Sequence, residues 1–123
     1  SSTNTSNAGN DFPFYRLSDT YLMRAEAKFR SGDEAGALVD INYLRNTKRG
    51  QPAYTSLDLD KILNERGYEL YWEGNRRTDL VRFKKYTAPR AEKDFVTPDY
   101  KILLPIPLSA IEANSTLVQN PGY

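Results

Sequence analysis

Between residues 17 and 48 the chain writes the helical period twice with almost nothing in between. Leu17, Tyr21, Leu22, Ala25 and Phe29 fall on one face of an α-helix, and Ala37, Leu38, Ile41 and Leu44 fall on one face of a second. The break around Gly32 is too short for anything but a turn, so the two helices must fold back on each other as an antiparallel hairpin. The first is expected from about Leu17 to Arg30, with Ser18 or Asp19 capping its exposed amides and Gly32 stopping it. Ser31 and Glu34 stand three apart, the spacing of a capping box, and open the second. That helix runs to about Asn46 or Lys48, ahead of Gly50 and Pro52.

Ala25, Gly32 and Ala37 have the spacing of the small residues in a tetratricopeptide repeat, where they let two helices approach closely. One such unit cannot bury its own apolar face, so further repeats in a longer chain or the rest of this one must cover it. A third helix is expected to open at Ser56, with Asp58 and Asp60 near its positive end and an apolar stripe of Leu59, Ile62, Leu63, Leu70 and Tyr71. Gly67 interrupts it, which implies a neighbour packed against the backbone there, and Gly74 ends it. Thr78 to Tyr86 reads as a fourth helix with Leu80, Val81 and Phe83 inward, and residues 87–100 are irregular. In the tail, Pro105 and Pro107 hold "LLPIP" extended. Ser109 with Glu112 caps one further helical turn that ends at Asn114, and "QNPGY" closes in a tight turn. The fold class expected is all-α: a tetratricopeptide-like helical hairpin, further helices, and an irregular, proline-containing C-terminal tail. The polar lead "SSTNTSNAGN" reads as a linker or flexible loop over residues 1–12, with the helical region over 13–123. It suggests a chain that begins inside something larger.

The chain contains no His and no Cys. Ser-His-Asp and Cys-His nucleophiles, zinc sites built on thiolate or imidazole, and disulfides are therefore excluded. Chemistry run by carboxylates, Lys, Tyr or Ser survives, as does an oxygen-ligated cation. Net charge is +1, without the basic excess that nonspecific binding to nucleic acid requires. No apolar run approaches the roughly 20 residues of a membrane-spanning helix.

Chemistry concentrates in "ILNERGYELYWEGNRRTDLVRF", residues 62–83, which holds four carboxylates and four arginines. Glu65, Glu69 and Glu73 form a row at successive i,i+4 positions, destabilising by itself, so cations must sit nearby. Two carboxylates roughly 5–9.5 Å apart could act as the acid and base of a glycoside hydrolase. Catalysis also needs one carboxyl pKa raised, and four arginines act in the other direction. Glu69, Glu73 or Asp79 could contribute to a calcium site, but no acid-rich loop of the EF-hand kind is present. The favoured reading is structural: Glu65, Arg66, Glu69, Glu73, Arg76, Asp79 and Arg82 form an ion-pair clamp between the third helix and the fourth, with no metal and no cofactor. The basic run over residues 76–93 lacks any phosphate-cradling motif and reads as a solvated loop. Nine tyrosines are the more telling excess, because a flat apolar face with a hydroxyl suits stacking on a sugar. Tyr21, Tyr43, Tyr68 and Tyr71 are expected to pack at helical spacings. Tyr15, Tyr54 and Tyr86 remain as ligand-binding candidates.

Three strings together, "RLSDTYLMRAEAKFRSGDEAGALVDINYLRNTKRG", "ILNERGYELYWEGNRRTDLVRFKKY" and "LLPIPLSAIEANSTLVQNPGY", closely resemble in order the C-terminal region of the SusD/RagB family. The resemblance covers residues 13–123 and rests most specifically on Glu65, Arg66, Glu69, Leu70, Glu73, Gly74, Arg76, Asp79, Leu80 and Arg82. It implies a nutrient-binding, non-catalytic lipoprotein on the outer-membrane surface of Bacteroidota, lipid-anchored through an N-terminal region absent from this chain. It also implies a glycan or oligosaccharide ligand, no nucleic acid, and a TonB-dependent, SusC-like transporter as partner, alongside the remaining N-terminal part of the same protein. The alternative is a tetratricopeptide-type protein-interaction scaffold without direct ligand binding. One departure stands out: the family often places an aromatic after the arginine of its "EG.R" string, where this chain has Arg77.

Overall fold

The computed structural model describes residues 14–91 and 93–123; the expected linker over residues 1–12 lies outside them. The fold is all-α, and among the described residues the sole β-type pairing is an isolated bridge between Arg90 and Lys93. The chain divides into two compact units, Ser1–Arg76 and Arg77–Tyr123.

In the first unit, α1 (Leu17–Arg30) and α2 (Glu34–Asn42) make the expected hairpin, and α2 continues as a π-helical turn over Tyr43–Lys48. The small residues do what their spacing requires: Ala25 and Ala37 are fully buried, with Leu22, Ile41 and Leu44 filling the seam. Gly32 ends α1 in a left-handed conformation, φ +93°. The amides of Gly32 and Asp33 bond back to the carbonyls of Phe29 and Lys28 at 3.1 and 2.9 Å, the paired closure of a Schellman motif. α3 (Leu59–Glu69) packs on α1 and adds Ile62 and Leu63, with Leu70 just beyond its end.

Caps depart from expectation. α1 has Arg16 at its N-cap with no side-chain cap bond, because Asp19 pairs with Arg66 and Ser18 bonds to Glu69. Asp33, not Ser31, caps α2 by accepting from the Gly36 amide at 2.8 Å, since Ser31 is occupied with the Lys28 carbonyl at the end of α1. Glu34, expected to complete a capping box, instead accepts from the Leu57 amide at 2.7 Å and ties down the connection to α3. Asp58 rather than Ser56 caps α3. Nor does Gly67 interrupt α3: the helix runs through it and stops at Glu69, five residues before Gly74, itself in the left-handed region at φ +79°.

Most of α4 (Arg76–Arg82), two residues earlier than expected at its start and four at its end, lies in the second unit. Leu80 and Phe83 are the buried apolar residues described there. α4 closes with a second Schellman arrangement, Lys84 and Lys85 amides on the carbonyls of Val81 and Leu80 at 3.0 and 2.7 Å, but the left-handed position is a lysine, φ +58°. A 3₁₀ turn over Asp99–Ile102 and α5 (Leu108–Ala113) follow. Pro107 rather than Ser109 stands at the N-cap of α5, with no side-chain cap bond, and Asn114 ends it as expected.

With so small a core, polar side chains order the tail. The side-chain amide of Gln119 accepts from the Ile106 amide at 2.8 Å and donates to the Ile106 carbonyl at 2.9 Å, imitating a strand partner. Asn120 and Tyr123 donate to the carbonyls of Leu104 and Leu103 at 2.7 and 2.8 Å. Tyr123 also meets Tyr100 edge-on, and Gly122 passes so close that a Cβ there would lie 2.5 Å from the Tyr100 ring. "QNPGY" thus supplies, from side chains, partners for the extended segment around Pro105 and Pro107.

Candidate binding surface

The carboxylate row on α3 is neutralised from the hairpin. Glu65, 1% exposed, accepts from Arg45 at 2.5 Å, from Arg49, and from the Tyr54 hydroxyl at 3.1 Å. Arg16, immediately before α1, reaches 57 residues along the chain to Glu73 through Nε at 2.8 Å, and 53 to Glu69 through Nη1 at 2.8 Å. Its other terminal nitrogen donates to the Glu69 backbone carbonyl. The cations holding Glu65, Glu69 and Glu73 are therefore Arg45, Arg49 and Arg16, none of which the expected clamp contained. They lie far from α3 in sequence, beyond the reach of helical spacing.

The remaining residues of the expected clamp are placed as follows. Arg66 pairs with Asp19 of α1 at 3.0 Å, both buried. Arg76 donates to the Leu63 carbonyl at 2.8 Å and covers Gly67, a contact between α3 and the first residue of α4. Asp79 and Arg82 meet at 2.8 Å within α4.

These pairings set the electrostatics. The hydrogen bond from Arg16 to Glu73, then that to Glu69, raises the guanidinium pKa above its ordinary range against partial burial. Burial alone would raise the Glu69 carboxyl, but the hydrogen bonds from Arg16 and Ser18 and the charges of Arg16 and Arg49 outweigh it and hold Glu69 below the usual value. Asp40, buried between α1 and α2, behaves alike: burial opposes, while Arg24 at 2.6 Å and Lys28 at 2.9 Å lower its pKa. A general acid needs the opposite shift. Among the described residues no three carboxylates are grouped so as to hold a metal ion, and no helix is long and apolar enough to cross a membrane.

In the basic run over residues 76–93, several cations turn onto backbone carbonyls. Arg77 donates to the carbonyls of Ile102 and Lys101 at 2.9 and 3.3 Å, a role for the position where the family often has an aromatic. Lys93 donates to Ala88 and Thr87 at 3.1 and 3.2 Å.

The tyrosines divide differently from expectation. Tyr21 and Tyr43 stack at 4.9 Å, with Arg24 and Lys48 closing the two ends of the stack. Tyr54 is absorbed into the structure: the Arg45 guanidinium lies 4.1 Å from its ring centre and its hydroxyl is bound to Glu65. Tyr86 lies under Arg77 at 4.9 Å, and Tyr15 is exposed. Tyr68 and Tyr71, expected to pack, are 63% and 75% exposed, and Trp72 is 86% exposed. Because α3 stops at Glu69, Tyr71 leaves the helical register that would have carried it inward, and Tyr68 falls off the buried stripe of Ile62, Leu63, Glu65 and Arg66. Sequence reasoning passed over Trp72 as a binding residue. The available signal was the chain's one tryptophan, directly after a tyrosine and two residues before a stop glycine.

The model of the SusD family matches residues 1–95. The chain belongs to the SusD family. It is 36% identical over 121 residues to the starch-binding protein SusD of Bacteroides thetaiotaomicron, covering 92% of this chain and 22% of that protein. To the SusD-like protein P25 of Formosa agariphila it is 33% identical over 129 residues, covering 89% and 24%. The chain therefore spans less than a quarter of the length of either relative. Among solved structures, surface glycan-binding protein A from Bacteroides uniformis aligns with a TM-score of 0.77 at 27% identity, over 90% of this chain and 28% of that one. A SusD-like protein from Bacteroides fragilis aligns with a TM-score of 0.72 at 28% identity, over 91% and 26%.

Proposed function

We propose that this chain is a segment of a non-catalytic glycan-capture lipoprotein of the outer-membrane surface, which delivers oligosaccharide to a TonB-dependent transporter. The observation that carries the reading is the 36% identity with a starch-binding protein over 92% of the chain. Absence of catalysis is supported by the site's own chemistry. With no His or Cys in the chain, carboxylates are the natural acid–base candidates, and Glu69 and Asp40 are lowered in pKa by arginine and lysine rather than raised. Capture without turnover asks only for a fixed surface, and the Arg16, Arg45 and Arg49 pairs supply rigidity to α3.

Calorimetry and affinity electrophoresis against polysaccharides and oligopeptides test the reading. Binding to at least one saccharide, with no release of reducing ends over prolonged incubation, is the expected result. Binding to peptides alone would replace glycan by peptide as the nutrient, and measurable hydrolysis by pure protein would overturn the non-catalytic assignment. Delivery is tested by copurification from outer membranes. A TonB-dependent barrel is expected in stoichiometric amount, and its absence under mild detergent would remove that half of the proposal.

A further inference from the structure

Just past the end of α3, two aromatic rings stand in solvent on a turn built to hold them there. Tyr71 and Trp72 have ring centres 6.3 Å apart with planes inclined at 56°, so they form a tilted pair rather than a flat patch. Tyr68, one turn earlier on α3, is exposed beside the Arg49 guanidinium, 6.0 Å from its ring. Trp72 adopts φ +66°, a left-handed backbone that penalises every L-residue and is an outlier for a bulky one. Such strain persists only where the surroundings over-determine it, and it concentrates at functional positions. Here the surroundings are visible. Arg16 grips Glu69 on one side of the pair and Glu73 on the other, and Gly74 at φ +79° completes the turn. A single guanidinium thus staples both ends of the aromatic segment.

The chemistry of this bracket selects its occupant. Tyr and Trp each join a flat apolar face to a polar edge, the phenol hydroxyl or the indole N–H. That combination meets the C–H face of a pyranose while bonding to its hydroxyls. The three carboxylates of the row, Glu65, Glu69 and Glu73, are balanced by Arg16, Arg45 and Arg49 together, so the surroundings carry no surplus charge to draw an ionic ligand and favour an uncharged one. We propose that Tyr71 and Trp72 form a preorganised stacking platform for a neutral sugar ring. The proposal rests on the glycan-capture reading and adds to it a binding position.

Trp72 is the only tryptophan in the chain, so its fluorescence reports on this position alone. The full chain is titrated with maltoheptaose, cellohexaose, laminarihexaose and mannohexaose, with affinity from calorimetry and exposure from acrylamide quenching. In the expected result at least one saccharide shifts the emission and shields Trp72 from acrylamide. Trp72→Gly, which suits the left-handed backbone and so keeps the fold, then weakens that affinity by roughly tenfold or more, and Tyr71→Ala weakens it less. Saccharide binding at equal affinity in Trp72→Gly would overturn the platform and leave glycan capture standing. Emission already shielded from acrylamide in the free protein would show the rings covered by protein and equally overturn it. Failure of the unaltered chain to bind any saccharide, here or in the wider panel, would sink both.

Discussion

Arg76 lies across the backbone of Gly67, its Nη1 2.8 Å from the Leu63 carbonyl and 2.8 Å from where a Cβ on Gly67 would stand. A glycine inside a helix costs about 1 kcal/mol relative to alanine. What it admits here is a guanidinium laid flat on α3, a charge-assisted bond to a backbone oxygen of roughly 1.5–3 kcal/mol.

Two effects of opposite sign then meet in Gly67→Ala. The methyl group gains helix propensity but displaces the guanidinium, and the lost bond outweighs the gain, so the substitution is expected to destabilise by about 1 kcal/mol. In an Arg76→Ala background nothing is left to displace, and Gly67→Ala should stabilise by about 1 kcal/mol. Urea denaturation of the four proteins of this cycle measures the reversal. Destabilisation by Gly67→Ala in both backgrounds would mean that Arg76 is not what the glycine accommodates.

Glu69 makes stability depend on acid. Its carboxyl pKa is lowered in the folded state from 4.5. Its contribution is therefore complete above about pH 4.5 and is lost as pH falls through the lower, folded value. Asp40, lowered from 3.8, adds a second loss in the same direction. Arg16, raised, keeps its contribution at every pH below its ordinary, unfolded value and plays no part in the acid transition. Glu69→Gln is expected to lower stability by about 1–2 kcal/mol at pH 7. Thermal melts should show its deficit narrowing below pH 4, where the unaltered protein loses the same interaction. A deficit constant from pH 7 to pH 3 would assign the loss to packing rather than charge.

The same pairs mark the boundary of what could be read in advance. Helix existence was legible because it is local: Ala25 and Ala37 lie in the seam their spacing required, and the hairpin turns at Gly32. Partners were less legible because they are not local. Nothing within helical reach of Glu73 points to Arg16, 57 residues earlier, and the cations written nearest to the acidic row, Arg66 and Arg76, go to Asp19 and a backbone carbonyl instead. Caps moved by a residue or two because neighbouring polar side chains compete for the same amides, and tertiary demand decides among them: Glu34 is drawn off by Leu57. Trp72 was missed for a different reason. A left-handed backbone is usually announced by Gly or Asn, and here tryptophan occupies it.

That conformation has a measurable cost in the absence of ligand. A left-handed L-residue is penalised by roughly 1–2 kcal/mol, and Trp72 is too exposed to recover much of this through burial. Trp72→Gly should therefore raise the melting temperature by a few degrees, less the greater backbone entropy that glycine brings to the unfolded chain. Lys84→Gly, which restores the usual residue to the Schellman position after α4, serves as a control with no expected effect on saccharide binding. Scanning calorimetry of the two variants decides it. A fall in melting temperature for Trp72→Gly would mean that the indole makes stabilising contacts in the folded protein.

The C-terminal tail offers a last, separable test. Gln119 gives Ile106 both a donor and an acceptor, which prolines on either side of Ile106 prevent it from obtaining by joining a continuous strand pairing. Each such bond contributes on the order of 1 kcal/mol net, and an orphaned partner loses more where it is shielded from water. Gln119→Ala removes both at once, together with the bond that its side-chain oxygen accepts from the Asn120 amide at 2.9 Å, and leaves the residues Asn120, Pro121 and Gly122 in place. Amide exchange at Ile106 should accelerate by about tenfold or more, since each 1.4 kcal/mol of local stability is a factor of ten. Cleavage between Leu103 and Leu108 by a nonspecific protease should rise with it. Gln119→Glu distinguishes the two bonds: its carboxylate still accepts from the Ile106 amide but can no longer donate to the carbonyl, so protection of the amide should persist while cleavage increases. Unchanged exchange at Ile106 in Gln119→Ala would show that the extended segment is held by its own backbone and not by the closing turn.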